Sequence, residues 1–164
     1  MNKSRINHPS RFLPLTCWDV SITNRNLILK RADRDFDKSV ILQYKKKFSW
    51  DINVERILDT PYEALVLTNQ GIKIEWVNEG FTEMTGYDKR DVLGSSPKIL
   101  QGKNTSFNTR KIIKEQLVLQ KPFNASLINY RKNGEEYICG IEVHPIFNNK
   151  RGLSHFLAIE AEIK

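Results

Sequence analysis

Glu160 is the residue of this chain whose position most favours a chemical role. It falls in the predicted last strand, Gly152–Ile163, on the face that also carries Phe156 and Ala158. A carboxylate on an otherwise apolar face must pair with a cation, take up a proton or reach water, because burying its charge alone is costly. One interpretation is that Glu160 binds a cationic or hydroxylated ligand together with Asn129. The other is that the strand ends nearby and the carboxylate reaches solvent or pairs with a lysine.

Other residue types that carry chemistry are sparse in this chain. The two cysteines, Cys17 and Cys139, are far apart and not in a metal-binding spacing, and Cys139 is interpreted as a small buried thiol. The histidines, His8, His144 and His155, form no cluster with other ligands, so we expect surface histidines and no metal site. With no phosphate-binding loop and no nucleophile elbow, the sequence predicts that the chain is not an enzyme.

The charge of the chain is unevenly spread. The formal net charge is +7; residues 1–60 hold twelve basic and seven acidic residues, and residues 61–164 hold fourteen and twelve. A basic extension either contacts nucleic acid or an acidic partner, or is a solvated face that keeps the protein soluble. Because the extension lacks interleaved exposed aromatics and a helix-turn-helix pattern, we do not expect nucleic-acid binding.

Compartment is indicated by what the sequence does not contain. No apolar run is long enough to cross a bilayer, and the first residues lack the apolar stretch of a signal peptide. The cysteine usage is typical of a reducing compartment. The sequence therefore predicts a cytoplasmic protein that does not contact a membrane.

Residues 1–60 are predicted to be an extension built around one amphipathic helix, Ala32–Phe48. Acidic residues at 33, 35 and 37 would lie in its first turn, where the helix dipole favours them. Asp51 or Asn53 caps a second short helix that ends before Pro61. Residues 1–31 show no regular pattern. The apolar residues of the first helix recur at helical spacing and form one stripe: Phe36, Val40, Ile41, Tyr44 and Phe48.

Residues 61–164 are predicted to form one α+β domain. Strand patterns at Ala64–Thr68 and Ile72–Val77 flank the turn signal at 69–71 and predict a β-hairpin. Short helices follow the capping residues Asn78 and Asp88, and a longer helix follows Thr105 or Ser106. Three strands close a five-stranded antiparallel sheet: Phe123–Tyr130, Glu135–Phe147 and Gly152–Ile163.

Three motifs carry a resemblance to a known family. They are WVNEGFTEMTGY at Trp76–Tyr87, GSSPKILQG at Gly94–Gly102 and LINYRKNGEEY at Leu127–Tyr137. In this order, from about Tyr62 to Lys164, the chain resembles a PAS domain, a five-stranded antiparallel sheet flanked by helices that senses ligands or light or binds partners. It is most similar to the LOV branch, flavin-binding blue-light receptors whose connector reads G-x-N-C-R-F-L-Q-G. Pro97 stands at the position of the photoreactive cysteine, so the resemblance implies no adduct photochemistry.

The resemblance also implies a ligand pocket between the sheet and the helices. In the LOV branch, amides on the sheet and a glutamine beside the reactive cysteine contact the flavin ring, and Asn129 and Gln101 stand at two of these positions. The other two amides are replaced by Cys139 and Glu160. The arginines that hold the flavin phosphate are replaced by Lys98 and Lys114, which keep the charge but lose the forked geometry. The ligand is unknown: a flavin is allowed but not favoured, and haem is not expected because the long helix supplies no histidine. The apolar lining is predicted to include Leu65, Leu67, Trp76 or its neighbours, Leu100, Ile113, Leu127 and Ile141.

Strand alternation assigns the last three strands two faces. Aligned with the LOV pattern, one face carries Asn129, Cys139 and Glu160 and points to the helices. The other carries apolar residues that would form an exposed patch if left uncovered: Ile128, Tyr130, Ile138, Leu157 and Ile159. We expect this outer face to pack against the N-terminal helix, in its own chain or swapped onto a second subunit, or against a homodimer partner or a signalling protein.

These patterns together predict a stand-alone sensory module that acts through small-ligand sensing and protein association. Two alternatives stay open. One is a flavin-binding redox or light sensor, and the other is an interaction scaffold that binds no ligand.

Overall fold

The computed structural model describes the backbone of residues 17–164 and the side chains of residues 33–164. Two compact units divide between Asp35 and Phe36. Helix α1 (Cys17–Phe48) forms the described part of the first unit and begins the second. The sequence placed its start at Ala32, which is wrong, because an established helix gains a hydrogen bond with each added residue and needs no apolar stripe to continue. His8 lies outside the described residues.

The second unit contains one antiparallel sheet with the strand order β2-β1-β5-β4-β3, which confirms the predicted fold class. Its later elements follow in chain order: α2 (Val54–Leu58), β1 (Ala64–Asn69), β2 (Ile74–Val77), α3 (Glu79–Thr85), α4 (Lys89–Val92), the 3-10 helix η1 (Pro97–Leu100), α5 (Phe107–Leu119), β3 (Phe123–Tyr130), β4 (Glu136–Phe147) and β5 (Leu153–Glu162).

Local capping explains where the helices begin. Asn53, Asn78, Asp88 and Ser106 each accept a hydrogen bond from a backbone N–H of the helix that follows, as the sequence predicts. Where the sequence left two candidates, the structure selects Asn53 and Ser106. Thr105 instead donates its hydroxyl to the carbonyl oxygen of Ile128 at 2.6 Å and ties the connector before α5 to β3.

The sheet separates two hydrophobic clusters. The inner cluster lies between one face of the sheet and α3, α4 and η1, and it includes Phe81, Met84, Leu127 and Cys139. The outer face packs against the end of α1, α2 and Trp50. Two residues predicted to line the inner pocket, Leu65 and Leu67, lie in the outer cluster instead. Trp76 packs there too, whereas its neighbour Val77 belongs to the inner cluster. The prediction was wrong because β1 is apolar and buried along almost its whole length, so alternation does not show which face is which.

The last turns of α1 pack against the outer face. Ile41 is fully buried there, with Tyr44 and Phe48 beside it. Phe36, predicted to lie on the same stripe, is instead 61% exposed. The buried position next to it is taken by Asp37, whose Oδ2 accepts hydrogen bonds from the Tyr62 hydroxyl at 3.2 Å and from Asn78 Nδ2 at 2.9 Å.

An aromatic cluster closes the same face. It consists of Tyr44, Phe48 and Trp50 packed around the ring of His155, with centroids 4.5 Å apart for Phe48 and 4.9 Å for Trp50. His155 was expected at the surface but is only 3% exposed. It is buried because Ser154 and Glu75 satisfy its two ring nitrogens, at 2.7 and 3.2 Å.

Candidate ligand-binding site

Four polar side chains share the inner face of the sheet: Asn129, Tyr137, Cys139 and Glu160, the inner polar cluster. Asn129 on β3 lies opposite Tyr137 on β4, and Cys139 follows two residues later on the same face. Glu160 on β5 completes the group, with its Oε2 3.8 Å from the Cys139 sulfur. The sequence placed Asn129, Cys139 and Glu160 on this face, and the structure brings them together with Tyr137 at the end of three neighbouring strands.

The inner polar cluster is buried but incompletely hydrogen-bonded. Asn129, Tyr137 and Glu160 are 4, 4 and 6% exposed. Asn129 Oδ1 and the Tyr137 hydroxyl have no hydrogen-bond partner among the described residues. The carboxylate of Glu160 receives only the weak thiol contact of Cys139 within that same part of the chain. Buried polar groups are normally paired, so this cluster has hydrogen-bonding capacity that a bound molecule can satisfy.

The same burial changes the acidity of these groups. It raises the pKa of Glu160 from 4.5 to about 7, because the ionised form loses its hydration. Burial first, and then the charge of Glu160, raises the pKa of the Cys139 thiol. The pKa of Tyr137 is also raised, mainly by burial. At neutral pH the thiol is therefore protonated and unreactive, whereas Glu160 is poised between its two protonation states.

Arg131 closes the cluster on the side of Tyr137. Its guanidinium carbon lies 4.6 Å from the centroid of the Tyr137 ring. Two hydrogen bonds of 2.9 and 3.0 Å join it to the Glu162 carboxylate, and a third runs to the carbonyl oxygen of Met84. Glu162 is also the main reason that the pKa of Arg131 is raised. Sequence reasoning missed this role, because Met84 and Glu162 are distant in the chain.

The remaining predicted ligand residues lie further out. Gln101 ends η1 and is half-buried. Lys98 on η1 and Lys114 on α5 are both exposed. The three polar residues predicted on the sheet thus form the centre of the candidate site, and both lysines lie at the surface.

The predicted outer patch is only partly open. Leu157 and Ile159 are buried under their own chain. Tyr130 packs against Gly102, where an added Cβ would lie 2.3 Å from the ring, and its hydroxyl accepts from the Asn104 amide at 2.9 Å. Ile138, by contrast, is 48% exposed, and Ile128 is half-buried.

Within residues 17–164, no helix is both long and apolar enough to cross a membrane. Among the side chains of residues 33–164, no group of three or more His, Cys, Asp or Glu residues is arranged to hold a metal ion.

Comparisons with known proteins agree with this architecture. A family model described as a PAS domain matches residues 63–163. The blue-light-activated histidine kinase of Brucella canis is 30% identical over 90 residues, which cover 55% of this chain and 18% of that protein. The nitrogen fixation regulatory protein of Klebsiella oxytoca is 29% identical over 100 residues, 61% of this chain and 20% of that protein. The similarity therefore spans a fifth or less of these relatives.

Solved structures share the same fold. The PAS domain of the fruit-fly ELK potassium channel superposes with a TM-score of 0.60 at 25% identity, covering 67% of this chain and 94% of that one. The light-state structure of the blue-light photoreceptor Aureochrome1 LOV gives a TM-score of 0.62 at 20% identity, over 68% and 90% of the two chains.

Proposed function

The chain belongs to the PAS domain family, and we propose that it is a sensory module whose inner polar cluster binds a small ligand. The observation that carries the proposal is a set of buried groups with unused hydrogen-bonding capacity on the inner face. Asn129 Oδ1 and the Tyr137 hydroxyl have no partner among the described residues, and the Glu160 carboxyl receives one weak contact from a thiol. A module that only associated with partners would have no need of them, because apolar side chains would fill the same space at lower cost.

The chemistry of the cluster indicates the class of ligand. Asn129 Oδ1 and an ionised Glu160 are both acceptors, so the ligand should supply N–H or O–H donors. A cationic or hydroxylated small molecule satisfies both. Because such a ligand favours the ionised carboxylate, binding should lower the pKa of Glu160 from its value of about 7.

A flavin is the second candidate. Asn129 and Gln101 stand where the LOV branch has flavin-binding amides, and one relative is named for its activation by blue light. The rest of the site does not fit a flavin held in that way. Glu160 replaces an amide by a carboxyl group, Cys139 replaces another by a thiol, and Lys98 and Lys114 are exposed. Pro97 has no thiol with which a flavin adduct could form.

A route to the N-terminal helix is built into the fold. Phe81 and Met84 of α3 pack in the inner cluster, and Asn78 caps that helix. The same Asn78 donates its side-chain amide to Asp37 on α1. A ligand that moves α3 therefore acts on α1 through one hydrogen bond. We propose that α1 and the exposed part of the outer face around Ile138 carry the signal to a second copy or a partner protein.

The test is to release and identify whatever the purified chain binds. Absorbance of the fresh protein, followed by heat release and mass spectrometry, should show a small polar molecule with donors. The amount of this molecule that co-purifies with Glu160→Gln should be lower than with wild type by about tenfold or more. Glu83 is an exposed carboxyl on α3, so Glu83→Gln should retain as much of the molecule as the wild type. A band in the blue region would favour the flavin.

A negative result has a clear meaning. A colourless protein that releases nothing, and whose melting temperature does not rise in a screen of amines, polyols and flavins, would contradict ligand sensing. The interaction scaffold would then be the better description.

A further inference from the structure

Helix α5 exposes large apolar side chains that the sheet does not cover. None of its residues is buried. Phe107 is 70% exposed, Ile112 52%, Val118 74% and Leu119 58%. Ile113 packs against the inner cluster from the other side of the helix. The apolar residues on the open side are thus not needed to hold α5 in place.

Positive charge is concentrated in the same segment. Residues 97–121 contain six basic residues and one acidic residue, Glu115, which gives a net charge of +5. The rest of residues 61–164 contains eight basic and eleven acidic residues, a net charge of −3. The domain therefore carries its positive charge on and around α5, and this charge asymmetry favours an anionic partner on that side.

Basic and apolar side chains share the open side of the helix. Phe107, Lys111, Lys114 and Val118 follow one another at spacings of four, three and four, so they lie on one line of the helix surface. Ile112 and Leu119, seven residues apart, lie roughly 120° further around the helix axis, with Glu115 between them and that line. The six apolar and basic residues on this open side are called the α5 face.

The mixture of lysines and apolar side chains on this face favours one class of anionic partner over the others. A protein partner needs a contiguous apolar core, and the lysines interrupt one here. A nucleic acid uses cations and stacking aromatics, but three of the four exposed apolar residues are aliphatic. A lipid interface accepts both groups at once, since headgroups bind the cations while apolar side chains enter the acyl boundary.

The sequence predicted no membrane contact because it lacks a spanning segment, but peripheral docking needs none. We propose that the α5 face is a peripheral docking surface for an anionic lipid bilayer. It binds reversibly, because a handful of cations and four apolar side chains on one short helix fall below what stable anchoring requires. Docking through α5, which packs on the inner side of the sheet, leaves the outer face of the sheet free, so membrane contact and partner binding at that face use different surfaces. Lys114 then serves the bilayer rather than a cofactor phosphate.

Vesicle sedimentation tests this with the full chain. The probe is phosphatidylcholine vesicles containing about 30% phosphatidylglycerol, compared with pure phosphatidylcholine. Binding should require the anionic lipid and fall at least about tenfold between about 50 and 500 mM salt. Lys111→Glu/Lys114→Glu should weaken binding by at least about tenfold. The matched control is Lys73→Glu/Lys150→Glu, which makes the same charge change in two exposed turns, and it should change binding less than about twofold.

A second variant separates lipid insertion from simple charge attraction. Phe107→Ser/Val118→Ser should weaken binding several-fold while leaving the salt dependence unchanged. Circular dichroism confirms that each variant folds, which is expected because all four residues are exposed. The proposal is overturned if the protein does not bind vesicles, or if the control Lys73→Glu/Lys150→Glu loses as much vesicle binding as Lys111→Glu/Lys114→Glu. It is also overturned if Lys111→Glu/Lys114→Glu weakens binding only to a DNA or RNA duplex.

Discussion

The two faces of the sheet treat buried polar groups in opposite ways. On the outer face, Asp37 accepts hydrogen bonds from Tyr62 and Asn78, and both ring nitrogens of His155 have partners. On the inner face, Glu160 is as deeply buried but receives a single weak contact from a thiol. Satisfied groups hold a fold together, whereas unsatisfied ones cost stability and persist where something binds. We therefore interpret the outer face as the structural side of this molecule, and the proposed function makes the inner face its binding side.

The largest expected effect tests the structural role of the outer face. Trp50 is 4% exposed, stacks near Tyr44 and Phe48, and donates its indole N–H to Ser154 at 3.1 Å. Trp50→Ala should lower the free energy of unfolding by about 4 kcal/mol, through lost burial and a cavity. Urea titration followed by circular dichroism measures it.

Phe107→Ala is the control for Trp50. This aromatic residue is 70% exposed, and its loss should cost less than about 0.5 kcal/mol. Similar costs for the two variants would mean that the outer aromatic cluster does not stabilise the fold.

The second effect tests the unsatisfied carboxyl of the inner face. Glu160 keeps its proton up to about pH 7 when folded but only to 4.5 when unfolded. The folded state therefore binds more protons in this window, and its stability falls as pH rises. The loss should reach about 3 kcal/mol in the ligand-free protein. Unfolding measured across this range in wild type and Glu160→Gln should show a difference that grows with pH.

Two outcomes would revise the view of Glu160. A difference that stayed constant with pH would mean that this carboxyl does not titrate in the folded protein. A smaller pH dependence in the presence of a donor ligand would instead support binding at this residue, because the ligand favours the ionised form.

The third effect concerns the satisfied carboxyl of the outer face. Asp37→Ala leaves the side-chain amide of Asn78, which is 4% exposed, without its acceptor. The free energy of unfolding should fall by about 2 kcal/mol. Asp35→Ala on the same helix, where the residue is exposed, should cost less than about 0.5 kcal/mol. Equal urea midpoints for the two variants would remove Asp37 from the link between α1 and α3.

The sequence predicted features that depend on neighbouring residues better than features that depend on residues far apart in the chain. Capping residues such as Asn78 and Ser106 act on the next turn of chain, so their pattern was sufficient. The strand positions of Asn129, Cys139 and Glu160 also followed from alternation together with the family resemblance. Asp37 could not be found, because an acid on a helix looks exposed until Tyr62 and Asn78 arrive from distant positions. The face of Leu65 could not be read, since every neighbour in β1 is also apolar.

The smallest expected effect is the pH dependence of stability that His155 causes on the outer face, and its direction is opposite to that of Glu160. Burial lowers the pKa of His155 below 6.5, with Lys47 adding to the shift and Glu75 opposing it. The unfolded state then binds more protons below that pH, so stability falls as the solution is acidified. Wild type should lose stability between about pH 7.5 and 5.5 relative to His155→Gln, measured by urea unfolding.

Lowering the pH thus reduces the stability of the folded protein through His155 on the outer face, whereas raising the pH towards 7 reduces it through Glu160 on the inner face. Since a ligand that pairs with Glu160 relieves only the second of these, binding should extend stability towards alkaline pH and leave the acid limb unchanged. A ligand that shifted the acid limb as well would show that the two faces are coupled through the sheet.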